Sequence, residues 1–225
     1  MLSPTIARFA ATQRVGRITA IGAVGALFLL LGAPTGCRQA DGAPPADSPA
    51  AVAEVVPEPG AADRGSVHDL GLHFRDATGA ERDLPSVGGA ARVVAMVYTS
   101  CTHTCPLIVA DMKRLEAALP PAERARVGLV LVSLDPARDT PAQLATFAAE
   151  AGLDPARWTL LTGTDDDVLT LAAALDVRYR PGAGGAIDHA NVLTVLDADG
   201  RIAYQQLGLG GDAAATRAAV ERLLR

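Results

Sequence analysis

The sequence predicts an α/β domain, a mixed sheet with helices on both faces and an N-terminal β-hairpin. Two short apolar runs rich in β-branched residues, Val93–Thr99 and Arg126–Leu134, read as buried strands because they are too short for helices. Each run passes into a stretch with helical spacing, and this alternation gives a sheet with a parallel core covered on both sides. Turn sequences between apolar segments, Asp76-Ala-Thr-Gly79 and Asp197-Ala-Asp-Gly200, mark hairpins near the two ends.

In chain order, residues 1–36 carry Arg8, Arg14 and Arg17 but no acid, and Ile18–Ala33 is a 16-residue apolar stretch. A basic start, an apolar middle and a small-residue exit make an export leader. The stretch is shorter than the ~20 residues of a membrane span, though Pro34–Gly36 could extend it into an anchor. Cys37 follows Ala-Pro-Thr-Gly, which resembles a bacterial lipoprotein cleavage box, so Cys37 is the expected lipidation site. Residues 37–65, rich in Ala, Pro and Gly, read as a disordered tether. The folded domain is expected over 66–225, long enough to bury a core.

Within that domain, Leu72–Phe74 and Arg82–Leu84 flank the first turn. After Val93–Thr99, the apolar positions Leu107, Ile108, Met112, Leu115 and Leu119 recur at helical spacing behind Pro106. After Arg126–Leu134, Thr140, Pro141 and Gln143 form a capping box, with a helix to about Ala151. Trp158–Gly163 is a short strand. Thr164 and three aspartates open a helix to about Leu175, the acids lying at the favourable end of its dipole. Val177–Gly185 reads as a Gly-Pro loop. Asn191–Leu196 and Ile202–Gln206 form a hairpin, and Asp212 caps a final helix.

Charge and cysteine usage narrow the function. The chain carries −5 at pH 7, and without the leader arginines it is more acidic still, which gives no nucleic-acid surface. With Cys37 lipidated, two thiols remain, an even number suited to an oxidising compartment. Both, Cys101 and Cys105, lie where the first buried strand hands over to a helix. Helix N-termini favour thiolates. Two cysteines in one helical turn lie close enough for a disulfide or for holding one soft metal ion.

His189 precedes the C-terminal hairpin by two residues, and in this fold type that loop lies against the first helix's N-terminus, so its imidazole would face the thiols. Soft thiolates suit Cu(I), and an imidazole lets the site hold Cu(II) as well. Asp135 and Asp188 are candidates for orienting the imidazole from behind. His103, between the cysteines, is expected to face solvent. His68 and His73 carry no signal.

Four motifs in fixed order resemble the Sco/SenC family: Thr99-x-Cys101-x-x-x-Cys105-Pro106; Leu134-Asp135-Pro136-x-Arg138-Asp139-Thr140-Pro141; Trp158-x-Leu160-Leu161-x-Gly163; and Asp188-His189 before Leu196-Asp197-x-x-Gly200-Arg201-Ile202. The resemblance covers residues 66–225. It implies a membrane-anchored, thioredoxin-fold protein that binds copper through Cys101, Cys105 and His189. It also implies help in assembling the binuclear copper centre of cytochrome c oxidase on the periplasmic face of the inner membrane. The expected partners are the oxidase's copper-accepting subunit, other periplasmic copper carriers and thiol–disulfide reductases. One departure is Thr102, where the family usually has Pro.

The same thiols would also serve a metal-independent thiol–disulfide oxidoreductase, although the spacing is Cys-x-x-x-Cys rather than Cys-x-x-Cys. A peroxiredoxin would need Pro at the position of Tyr98. A non-metal scaffold leaves the three-residue set without a use.

Overall fold

A computed structural model describes residues 65–211 and 213–225. The expected leader, tether, lipidation site Cys37 and helix cap Asp212 lie outside these residues. Among the described residues, no helix is long and apolar enough to cross a membrane.

Two runs with every residue buried form the centre of the sheet, β3 (Ala91–Val97) and β4 (Val127–Ser133). They pair in parallel from Ala91↔Val127 to Val97↔Ser133. β5 (Trp158–Gly163) adds a third parallel strand beside β4. The hairpin β1 (Phe74–Asp76) and β2 (Glu81–Arg82) attaches antiparallel to β5 through β1. On the other side β8 (Val192–Leu196) runs antiparallel to β3, followed by β9 (Ile202–Leu207). The seven-stranded order is β2-β1-β5-β4-β3-β8-β9, the mixed sheet the sequence predicts.

Strand alternation divides the core. Val93, Ala95 and Val97 face a cluster that includes Met112 and Leu115 of α1 (Cys105–Ala118), Leu144 of α3 (Pro141–Glu150) and Val220 of α5 (Ala213–Leu223). Val94 and Met96 face a second cluster with Val168 and Leu171 of α4 (Asp165–Ala174) and with Val67, Phe74 and Leu84 from the N-terminal segment. Helices therefore cover both faces. The Thr140 and Thr164 hydroxyls cap α3 and α4 as the sequence indicates. The one-turn α2 (Pro121–Arg124) and a 3-10 turn at Val67–Leu70 carry too little periodicity to be read beforehand.

One expectation is corrected. Val177–Gly185 is not simply a loop: β6 (Tyr179–Pro181) pairs antiparallel with β7 (Ile187–His189) as a separate two-stranded ribbon. Its strands of three residues are too short for a period-2 signal, and Pro181, Gly182, Gly184 and Gly185 mask the pairing. The consequence is functional, because His189 stands at the end of a paired strand, directly opposite Tyr179.

Gly128 shows how closely the central sheet is approached. A Cβ at this buried strand position would meet the Gly88 carbonyl oxygen at 2.6 Å, and backbone cannot swing aside as a side chain does. Gly128→Ala should therefore destabilise the domain by about 1–3 kcal/mol, although alanine usually suits a strand interior better than glycine. Denaturant unfolding of both proteins checks this, and an unchanged midpoint contradicts the packing described.

Candidate metal centre

The site begins where β3 ends. Tyr98 is buried and Thr99 partly so, and the Cys101 N–H donates to the Tyr98 carbonyl at 3.2 Å, turning the chain sharply out of the sheet. Four residues later α1 starts. Its N-cap, Thr104, makes no side-chain bond to the helix backbone. The Thr104 hydroxyl lies instead 3.6 Å from the Cys101 sulfur, and the Cys105 N–H, otherwise an unpaired helix-start donor, points at that same sulfur at 3.3 Å. Cys101 thus sits just ahead of the helix and takes its first donors, while Cys105 is the helix's first residue.

The two thiols differ, which sequence reasoning missed by treating both as favoured thiolates. Burial opposes ionisation of Cys101, but hydrogen bonds from the Cys105 thiol and N–H, the His103 N–H and the Thr104 hydroxyl outweigh it and lower its pKa to about 6. Cys105 is fully buried, and burial pushes its thiol well above the ordinary range; donating to Cys101 and facing the Cys101 charge add to this. The reduced pair is thus a thiolate at Cys101 and a thiol at Cys105. None of the named donors is Thr102, so the departure from the family's usual Pro leaves this network intact.

The ribbon delivers the third group. His189 Nε2 lies 3.6 Å from the Cys105 sulfur. Its Nδ1 lies 3.1 Å from the Ala190 carbonyl, which can only accept, so in the neutral ring Nδ1 holds the proton and Nε2 offers its lone pair toward the sulfurs. Tyr98 supports this placement. Its ring meets the imidazole edge-on at 5.9 Å, and its hydroxyl accepts the Ile187 N–H at 3.3 Å, tying the ribbon to the end of β3. The ligand atoms of Cys101, Cys105 and His189 all lie within 4.8 Å of one another.

The other candidates fall elsewhere. His103 is exposed, as expected, and its Nδ1 pairs with the Thr102 hydroxyl at 3.0 Å. Neither Asp135 nor Asp188 hydrogen-bonds the imidazole, whose orienting partner is the Ala190 carbonyl. Asp135 holds Arg138, and exposed Asp188 pairs with Arg180 at 3.4 Å on the outer side of the ribbon. Tyr98 and Ala190 carried no legible signal. An aromatic at a strand end is ordinary core, and a carbonyl has no side-chain signature.

Comparison with known proteins gives a consistent picture. The SCO1/SenC family model matches residues 64–225. A candidate copper-binding protein of Stutzerimonas stutzeri is 31% identical over 120 residues, covering 51% of this chain and 56% of the relative, so the match spans little more than half of that relative's length. Among solved structures, Bradyrhizobium japonicum ScoI with copper bound superposes with a TM-score of 0.57 at 22% identity, covering 68% of this chain and 96% of that one. BsSco, described as a Sco family cytochrome c oxidase assembly protein with a disulfide switch, gives a TM-score of 0.59 at 24% identity over 68% and 90% of the two chains. At these identities the two structures establish the shared thioredoxin-like fold.

The thiol asymmetry is directly measurable. In the reduced, metal-free protein one thiolate should appear by ultraviolet absorbance as pH rises through about 6. Cys101→Ser should abolish that step. Cys105→Ala should move it upward, because the thiolate loses its strongest side-chain donor. Two equivalent thiols titrating together near the ordinary cysteine value of about 8.5 would contradict the assignment.

Proposed function

The chain belongs to the SCO1/SenC family, and we propose that it is a membrane-tethered copper chaperone that assists assembly of the copper centre of cytochrome c oxidase, holding copper through Cys101, Cys105 and His189. The observation that carries this reading is the convergence of two sulfurs and one lone-pair-bearing imidazole nitrogen within 4.8 Å. Two soft donors and one borderline donor suit both Cu(I) and Cu(II). Three protein ligands leave a coordination position for a donor from the accepting subunit.

The geometry gives each residue a task. Cys101 is already a thiolate at neutral pH and is the less buried of the two sulfurs, while His189 is the most exposed of the three ligands. Cys105, fully buried, surrenders its proton only when the metal takes its place, so loading releases a proton and the bound ion lies on the protected side. His189 presents Nε2 in a fixed tautomer. Oxidising the two thiols to a disulfide consumes both thiolates and expels the metal.

In this reading residues 66–225 are the copper domain, 37–65 the tether and 1–36 the leader, with the domain held by a lipid on Cys37, or by the uncleaved leader, at the periplasmic face of the inner membrane. The leader composition and the lipoprotein-like sequence before Cys37 support that placement. Partners are the copper-accepting oxidase subunit, together with copper carriers and thiol–disulfide reductases of the same compartment.

The thiol asymmetry also suits a second reading, a thiol–disulfide oxidoreductase in which Cys101 attacks and Cys105 resolves. In that reading the His189 Nε2 lone pair, 3.6 Å from the Cys105 sulfur, would take the resolving thiol's proton, so metal binding decides between the two.

Competition titrations separate the two. His189→Ala should lose more than about tenfold in Cu(II) affinity while keeping most Cu(I) affinity, and either cysteine to Ala should impair both. Affinity should rise with pH. Above about pH 6 one thiol proton competes, that of Cys105, so log K should climb by about one per pH unit from the thiols. Below it Cys101 adds a second proton and the slope approaches about two. Tight Cu(I) binding by the double cysteine variant would overturn the copper assignment.

A further inference from the structure

Building on the copper reading, we infer that the loop from Asp135 to Thr140 is a bracket whose adjacent residues Arg138 and Asp139 each set one half of the metal site, Asp139 holding the cysteine turn and Arg138 the histidine ribbon.

Asp139 faces inward. It is 1% exposed, and its carboxylate accepts the Thr99 N–H at 3.0 Å, the Thr99 hydroxyl at 2.6 Å and the Ser133 hydroxyl at 2.6 Å. Thr99 stands two residues before Cys101, at the point where β3 leaves the sheet, and Ser133 ends β4. A buried carboxylate is costly unless its oxygens are satisfied, and here every hydrogen bond comes from the ends of these two strands. The carboxylate therefore locks the start of the cysteine turn to the neighbouring strand.

Arg138 faces the other way. One guanidinium nitrogen donates to the Gly185 carbonyl at 2.6 Å, in the connection between β6 and β7. Asp135 steadies the guanidinium through its Nε, which gives Asp135 a role at this site other than touching the imidazole. Gly185 has φ +81°, and a Cβ there would meet the guanidinium at 3.1 Å, so glycine supplies both the backbone shape and the room for this contact. The loop itself is tight: the Arg138 and Asp139 N–H groups both donate to the Asp135 carbonyl, at 3.0 and 2.8 Å. Consecutive side chains of a short, internally bonded turn thus reach the two segments whose separation defines the Cys–His distance. Neither side chain is a copper ligand; both are positioning residues.

The split predicts different effects on the two copper states. Arg138→Ala removes the ribbon's tie to the bracket, leaving the Tyr98 hydroxyl as its other hold on the site, and should weaken Cu(II) binding about tenfold while leaving Cu(I) affinity within about twofold, with Arg138→Lys restoring part of the loss through one remaining donor. Thr99→Val keeps the side chain's shape, removes one bond to Asp139, and should weaken both states about three- to tenfold. A copper-independent readout tests the bracket even if the copper reading fails. Backbone amide exchange in the reduced full-length protein should accelerate selectively across Tyr179–His189 in Arg138→Ala and across Tyr98–Cys105 in Thr99→Val. Equal loss of both copper states in Arg138→Ala, or exchange that accelerates uniformly or in neither segment, overturns the bracket. A wild-type protein that binds no copper but shows the segmental exchange overturns the copper reading alone.

Discussion

The amide of Cys105 points at the sulfur of Cys101, 3.3 Å away, and most of the site's chemistry follows from that contact. A helix must start with N–H groups that have no partner within it. Here the cap side chain, Thr104, does not take them, and a sulfur accepts one instead. The bond holds one cysteine as a thiolate just outside the helix and leaves the other inside the helix as a thiol. It also requires the chain to make the sharp turn between Tyr98 and Cys101, and so depends on how β3 ends and on what grips that end. The buried strands, the carboxylate of Asp139 and the ring of Tyr98 all converge on this requirement.

Much of this arrangement was legible before the structure. Burial along most of β3 and β4 shows in the apolar runs Val93–Val97 and Leu129–Val132, although buried Arg92 and Ser133 extend it past them, and Thr140, Pro141 and Thr164 announce the helices they begin. The meeting of Cys101, Cys105 and His189 was legible because the strand-to-helix position of the thiols and the alternating topology constrain where a residue before the C-terminal hairpin can lie. The inequality of the two thiols was not. It depends on the helix starting between the two, at Cys105, which decides which sulfur receives donors and which one gives, and spacing alone does not specify that. The β6–β7 ribbon escaped notice because strands of three residues, interrupted by Pro181 and a run of glycines, pair through backbone groups that leave no pattern in side chains.

The acidic residues show a further limit of pattern reading. Asp135 and Asp188 were natural candidates to orient an imidazole, yet a backbone carbonyl does so at Ala190, and each carboxylate is engaged by an arginine. Asp139, which stood in the same motif without an assigned task, is the most deeply buried of the three, at 1% exposure against 8% for Asp135, and its partners are the two strand ends. Burial and partner geometry separate these roles; residue type does not. The fully buried Cys105 beside the slightly exposed Cys101 likewise gives the proposed copper site an inner and an outer ligand, a polarity that suits a protein that passes its metal onward.

X-ray absorption at the copper edge tests the central claim most directly, because it counts the donor atoms themselves. The protein loaded with one Cu(II) per chain should show two sulfur scatterers and one imidazole, the donor set of Cys101, Cys105 and His189. A copper shell built from oxygen and nitrogen alone, or one that keeps both sulfurs after Cys105→Ser, would contradict the account.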